Sequence, residues 1–131
     1  MNTKQIGDIS ELKAITWYKE NDWEVLVPFG DNARFDFAGY WGGEFHRVQV
    51  KTGRVDGGVV KVDLTSTNYR NSETNHRKYT DREIDHFVVY APSLDELVGF
   101  SPKEFGSAVS LRFQEPDKPD SNINWWSDYI I

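Results

Sequence analysis

The sequence has 131 residues, no cysteine, and 21 acidic against 15 basic residues, which gives a formal charge of −6. A chain of this length is expected to form one domain with its own hydrophobic core. The absence of cysteine excludes disulfide bonds, thiolate metal sites and a cysteine nucleophile. No apolar stretch approaches the roughly 20 residues that span a bilayer, and no secretory signal is visible. We therefore expect a soluble, cytoplasmic protein without membrane contact.

The first half of the sequence predicts one helix followed by strands. Residues 3–21 favour a helix because apolar residues recur at helical spacing, with Thr3, or alternatively the pair Asp8 and Glu11, capping its start. Four segments rich in β-branched and aromatic residues are predicted as strands: 23–29, 34–41, 44–51 and 59–64. Gly42 and Gly43 predict a tight hairpin turn between the second and third strands.

The second half is predicted to hold a long loop and one buried strand. Residues 66–82 are polar and poorly periodic, which predicts a loop with at most one helical turn, and loops of that length are usually functional. Residues 85–91 predict a short strand of the buried kind. Weaker signals favour strands at 97–100 and 109–113, and an acidic, Trp-bearing tail follows. The order of elements predicts an α/β or α+β domain around a mixed sheet.

Most aromatic side chains are expected in the core rather than in a stacking surface for bases. This prediction covers Trp17, Tyr18, Trp23, Phe35, Phe37, Phe45, Phe87 and Tyr90.

The predicted hairpin brings a set of polar side chains together. Gln49 and Lys51 lie two residues apart on one strand and therefore share a face, and the hairpin turn can bring Asp36 beside them. Glu11 lies on the shoulder of the helix's apolar stripe, where it can be half-buried over the same sheet. Carboxylate and amide oxygens beside a lysine suit a divalent cation that activates water and neutralises a phosphate.

Each of these residues also has a structural interpretation. Glu11 can serve only as a helix cap. Asp36 can pair with Lys51 or Arg34, since an unpaired buried carboxylate is costly. Without further information, Gln49 and Lys51 are an ordinary polar strand face. His76 and His86 have no second histidine at a suitable spacing, so no zinc site is predicted.

Three segments of the sequence resemble the PD-(D/E)XK nuclease superfamily. They are Gly-Asp-Ile-Ser-Glu at 7–11, Pro-Phe-Gly-Asp-Asn-Ala-Arg-Phe-Asp at 28–36 and Arg-Val-Gln-Val-Lys-Thr-Gly-Arg at 47–54. With Asp-His-Phe-Val-Val-Tyr at 85–90, the resemblance covers roughly residues 4–92. It is greatest to the small endonucleases related to group I intron homing enzymes and to archaeal Holliday-junction resolvases. It implies a restriction-endonuclease-like αβββαβ core, a mixed sheet flanked by helices.

The resemblance also implies a Mg²⁺-dependent DNA endonuclease in which Mn²⁺ can substitute and no small-molecule cofactor takes part. By position, Asp36 is implied as the principal metal ligand, Lys51 as the catalytic lysine and the Val50 carbonyl as a further ligand. Glu11 is implied to assist the metal, directly or through water. Gln49 stands where the family usually has Asp or Glu, which leaves the site one negative charge short.

DNA contact is predicted around the basic segment from residue 47 to residue 82, which holds eight basic and four acidic residues. Basic groups interleaved with amides and phenols suit phosphate positioning. The predicted DNA-binding residues are Arg34, Thr52, Arg54, Asn68, Arg70, Arg77, Lys78, Tyr79 and Arg82.

Other interpretations of the chain remain open at the level of sequence. One is a Holliday-junction resolvase, another a non-catalytic DNA-binding or assembly module that kept the fold, and a third an interaction protein docking through its Trp-rich tail at 124–129. We expect one nuclease domain over residues 1–131, with a core at about 4–92 and an extension or accessory strands at 93–131. A domain of this size is expected to cut two strands as a homodimer or homotetramer.

Overall fold

The computed structural model describes residues 1–70, 73–118 and 120–131, and residues 68–70 for their backbone only. Within these ranges it contains one α-helix, α1 at Thr3–Glu20, and a short 3₁₀ helix at Trp126–Asp128. The strands are β1 Glu24–Leu26, β2 Phe37–Trp41, β3 Glu44–Thr52, β4 Arg54–Asp56, β5 Val59–Asp63, β6 Thr65–Arg70, β7 Glu73–Lys78, β8 His86–Ala91, β9 Glu96–Phe100 and β10 Ala108–Arg112. No helix in the described ranges is long and apolar enough to cross a membrane.

The main sheet has five strands in the order β1-β2-β3-β8-β9. β3 and β8 run parallel, and the other neighbours are antiparallel. The predicted turn at Gly42 and Gly43 is confirmed, with φ of 61° and 84°, which glycine adopts without steric cost. Helix α1 packs on one face of this sheet, where Ala14, Tyr18 and Val48 are buried. The predicted mixed sheet is thus confirmed.

A smaller sheet, in the order β10-β5-β4, packs on the opposite face of the main sheet. The two sheets approach closely at Gly53, where a Cβ atom would lie 2.4 Å from Cγ1 of Val60. Only glycine fits there without displacing its neighbours. The core between the sheets also includes Val98, Leu111 and Trp126, so β9, β10 and the tail are packed parts of the fold.

The start of α1 differs from the prediction. Asn2 is the N-cap, and its side-chain oxygen accepts a hydrogen bond from the Gln5 N–H at 2.9 Å. The Gln5 side chain returns a bond to the Asn2 N–H at 2.9 Å. This reciprocal pair satisfies the exposed backbone donors one residue earlier than expected, so the predictions of Thr3 or of the pair Asp8 and Glu11 as caps were wrong.

The prediction of a loop at 66–82 was also wrong, because the first part of this segment belongs to the two-stranded hairpin β6–β7. This hairpin stands where the αβββαβ order leads one to expect a second helix. All six residues of β7 are polar and exposed, so this strand lacks the apolar alternation by which a strand is recognised. Cross-strand hydrogen bonds and polar pairs stabilise it instead.

Three further differences concern single positions. Strand β2 begins at Phe37, so Asp36 precedes the strand rather than lying within it. Phe45 is 57% exposed, which contradicts its predicted place in the core; it pairs with the ring of Tyr40 at 4.6 Å. Trp126 is 2% exposed, so this tryptophan of the tail is part of the core and is not free for docking.

Candidate active site

Asp36 lies where the chain enters β2 and is tied to the neighbouring strand β3. Its backbone N–H donates to the Val48 carbonyl at 2.8 Å, and its Oδ2 accepts the Val50 N–H at 2.8 Å. The carboxylate therefore lies against the part of β3 that carries Gln49 and Lys51. It forms no ion pair with Arg34, which pairs with Glu83 at 2.9 Å instead.

Gln49 and Lys51 share one face of β3, as the alternation predicts, while Val48 and Val50 are buried beneath α1 on the other. The Gln49 amide lies against its own strand, with Nε2 3.4 Å from the Val50 carbonyl oxygen. Lys51 donates from Nζ to the Thr65 carbonyl at 2.7 Å. Its ammonium lies 5.2 Å from the centre of the Tyr79 ring.

Helix α1 is joined to β3 by a hydrogen bond between the buried Ser10 and the half-buried Thr52. The hydroxyls of Ser10 and Thr52 lie 2.6 Å apart, and Ser10 is 1% exposed. Glu11 follows Ser10 directly, so this bond sets the position of α1 at the residue that carries the second candidate carboxylate. Glu11 is half-buried and makes no contact with the helix cap, which Asn2 and Gln5 form.

The ionisable groups of the site influence one another. Burial raises the pKa of Glu11, and the negative charges of Asp36 and Asp8 raise it further. Burial also raises the pKa of Asp36, against the opposing effects of the Val50 N–H bond and Lys51. The charge of Asp36 thus adds to the cost of ionising Glu11, a cost that a cation bound beside both carboxylates would offset.

The candidate site offers oxygen ligands of several kinds rather than a cluster of carboxylates. In the described ranges no group of three or more His, Asp or Glu side chains is placed to hold a metal. The available donors are the free Oδ1 of Asp36, the Val50 carbonyl, the Gln49 amide oxygen after a turn of the amide, and Glu11. Neighbouring ligands of Mg²⁺ lie about 3 Å apart, close to the 3.4 Å between the Gln49 amide and the Val50 oxygen. These hard oxygen donors fit Mg²⁺ or Mn²⁺.

The predicted DNA-binding residues lie in different environments. Arg34 stacks on Tyr79, with its guanidinium carbon 4.0 Å from the ring centre, and bonds Glu83, Ser66 and the Lys78 carbonyl. Its guanidinium thus fastens the β6–β7 hairpin to the main fold. Its role towards DNA stays a prediction.

The hydroxyl of Thr52 is hydrogen-bonded to that of Ser10. Arg77 pairs with Glu83 at 3.0 Å, and 66% of the Arg77 side chain is exposed. Arg54, Lys78 and Arg82 are exposed. The side chains of Asn68 and Arg70 lie outside the described residues.

Two residues that the sequence analysis missed hold Lys51 in the structure. Asp63 ends β5, and its Oδ1 accepts both the N–H of Thr65 at 2.9 Å and its hydroxyl at 2.7 Å. Thr65 is 7% exposed, and its carbonyl is the acceptor for Lys51. An Asp side chain that bonds the backbone N–H two residues further on is a known turn pattern, so Asp63 was the signal available in the sequence.

The whole chain, residues 1–131, matches a family model described as PD-(D/E)XK endonuclease. Among solved structures, the bacterial homing endonuclease I-Ssp6803I has the same fold, with a TM-score of 0.82 and 24% sequence identity. The alignment covers 99% of this chain and 89% of that one. A search of curated protein sequences finds no match. The resemblance and the fold class inferred from the sequence are confirmed, and the chain belongs to the PD-(D/E)XK endonuclease family.

Proposed function

We propose that this protein is a Mg²⁺-dependent DNA endonuclease that hydrolyses phosphodiester bonds in the manner of a homing endonuclease. One observation carries the proposal: the Asp36 carboxylate accepts a hydrogen bond at 2.8 Å from the N–H of Val50. Val50 lies between Gln49 and Lys51 on β3. Membership of the endonuclease family supports it further.

In this proposal Asp36, Gln49 and the Val50 carbonyl hold the cation, and Glu11 contributes directly or through water. Bound Mg²⁺ supplies neutralisation of phosphate charge and a lower pKa for water. Lys51 lies on the same face of β3 as Gln49, and in this proposal it orients the attacking water and stabilises charge that develops on the phosphate. With Gln49 in place of the usual Asp or Glu, the site carries one negative charge fewer but keeps an oxygen ligand at this position.

The test is cleavage of supercoiled plasmid and of linear duplexes with Mg²⁺, Mn²⁺ or a chelator. Wild type is expected to cut with either cation, while Asp36→Asn and Lys51→Ala are expected to lose at least about 100-fold in rate. Exposed residues of the same types provide controls: Asp117→Asn and Lys103→Ala should cut at the wild-type rate. Full activity of Asp36→Asn would contradict the proposal.

Two alternatives are separated by further arms of the same assay. A resolvase-type enzyme would cut a four-way junction in preference to every linear or supercoiled substrate. A non-catalytic module would bind DNA equally well with chelator and with Mg²⁺, and would never cut. The neutral Gln49 is the observation that favours this second alternative.

Cutting both strands of a duplex needs two sites, so we propose that the protein acts as a homodimer or homotetramer. Light scattering behind size exclusion, with and without DNA, measures the mass of the assembly. A protein that stays monomeric in both conditions yet makes double-strand breaks would contradict this part of the proposal.

A further inference from the structure

The ammonium of Lys51 is held by a backbone carbonyl that belongs to another part of the fold. Nζ of Lys51 donates to the Thr65 oxygen at 2.7 Å, and the two residues are 14 positions apart in sequence. Lysine has four rotatable bonds, and holding its amine in one place costs side-chain entropy. The position of the Thr65 carbonyl therefore influences where the Lys51 amine lies.

That carbonyl is fixed by a clamp at the junction of β5 and β6. Asp63 accepts two hydrogen bonds from Thr65 with a single oxygen, one from the backbone N–H at 2.9 Å and one from the hydroxyl at 2.7 Å. Between them, Leu64 is 2% exposed and its N–H bonds the Ser107 carbonyl at 2.9 Å. With the peptide planes rigid, these contacts leave the Thr65 carbonyl little freedom to turn.

The charges around Lys51 agree with this arrangement. Burial lowers its pKa, and the negative charges of Asp63 and then Asp36 act against that effect, while Arg34 adds to it. Asp63 thus supplies the larger of the two favourable charge interactions, although it lies outside the sequence segments that resemble the family.

We propose that Asp63 and Thr65 are positioning residues that hold the Lys51 amine at the Thr65 carbonyl, on the face of β3 that carries Gln49. Asp63 fixes Thr65, and the Thr65 carbonyl fixes Lys51. The consequence for catalysis rests on the proposed function, whereas the contact itself does not. Neither residue touches the phosphate in this scheme.

The first arm of the test observes Lys51 directly by ¹⁵N NMR of lysine ammonium groups, with its signal assigned through Lys51→Arg. A held ammonium gives a distinct, slowly exchanging signal, whereas a free one does not. Asp63→Ala and Thr65→Val are expected to shift or broaden the Lys51 signal, while Thr65→Ser, which keeps the hydroxyl, should largely preserve it. Asp63→Asn keeps the acceptor oxygen and removes only the charge, so it should broaden the signal less than Asp63→Ala does. Asp56→Ala, which removes an exposed carboxylate bonded to Lys61, is the control and should leave the signal unchanged.

The second arm measures cleavage by the same folded variants, each checked by backbone NMR and thermal unfolding. Asp63→Ala and Thr65→Val are expected to lower kcat by about 10- to 100-fold with little change in KM for DNA, since a small displacement of a catalytic group costs that much. Thr65→Ser should restore most of the rate, and Asp63→Asn should cut faster than Asp63→Ala. A purely structural clamp would lower the melting temperature and leave kcat of the folded protein unchanged.

The outcomes distinguish a failure of this inference from a failure of the proposed function. An unchanged Lys51 signal in both Asp63→Ala and Thr65→Val overturns the inference, as does an unchanged kcat in an active enzyme. If the signal moves as expected but wild type cuts no DNA under any condition, the positioning contact stands and the proposed function fails.

Discussion

Arg47 and Asp85 form a bidentate ion pair that joins the segment before β8 to β3. Nε of Arg47 lies 3.0 Å from Oδ2 of Asp85, and Nη2 lies 3.1 Å from Oδ1. The same Oδ2 accepts the Arg47 backbone N–H at 2.8 Å. Arg47 also bonds the carbonyls of Asp81 and Arg82. The pair thus joins β3 to the start of its parallel neighbour, beside the candidate active site.

Asp85→Asn is expected to lower the free energy of unfolding at neutral pH by about 1–2 kcal/mol, because it removes the charge from three hydrogen bonds. The Arg47 bonds hold the pKa of Asp85 below its ordinary value of 3.8. A carboxylate with a lowered pKa in the folded state stabilises the fold above its unfolded pKa, and this stabilisation is lost as the pH falls through the folded pKa.

Urea unfolding of both proteins from pH 7 down to pH 2.5 checks this. The difference between wild type and Asp85→Asn should persist down to about pH 4 and shrink below it. A difference that stays constant down to pH 2.5 would contradict the assignment.

The second prediction concerns the effect of the Asp36 charge on the pKa of Glu11. Asp36→Asn is expected to lower the pKa of Glu11 towards its ordinary value, because the Asp36 charge is the larger of the two charge effects that raise it. Asp8→Asn should lower it less, and Asp117→Asn should leave it unchanged. Side-chain carboxyl NMR titration measures all three variants without any assay of activity. Equal values in wild type and Asp36→Asn would place the two carboxylates too far apart to share a cation.

The third prediction concerns the neutral ligand. Gln49→Glu adds a negative charge to a site that is one carboxylate short, so Mn²⁺ affinity should rise by roughly tenfold. Calorimetric titration with Mn²⁺ measures this, and Gln114→Glu on the exposed surface is the matched control. Weaker binding in Gln49→Glu would mean that the side chain lies outside the coordination shell.

The fourth prediction concerns the tail. Trp126 is 2% exposed, and its indole N–H donates to Glu96 at 3.0 Å. Trp126→Ala should lower the free energy of unfolding by about 3–5 kcal/mol. Trp41 is 58% exposed, so Trp41→Ala should lower it by well under half as much. Urea unfolding gives both values, and equal losses would contradict the packing of the tail as a part of the core.

Much of the candidate site was predictable because it depends on local rules. The turn at Gly42 and Gly43 requires positive φ angles, and strand alternation places Gln49 and Lys51 on one face. These two rules, with the resemblance, were enough to group Asp36 with β3. The sequence could not predict which side chains pair with one another. It allowed Asp36 to pair with Arg34, whereas in the structure the Arg34 guanidinium pairs with Glu83, 49 residues away.

By itself, then, the sequence determined the helix, most strands of the two larger sheets and the face that bears the candidate residues. These features follow from periodicity and turn chemistry within short stretches of chain. Only the tertiary structure decided that Asp63 and Thr65 hold Lys51 and that Ser10 joins Thr52. It also decided that polar segments form the β6–β7 hairpin. The physical reason is that such contacts depend on packing and on which buried polar groups find partners, and both are properties of the whole fold.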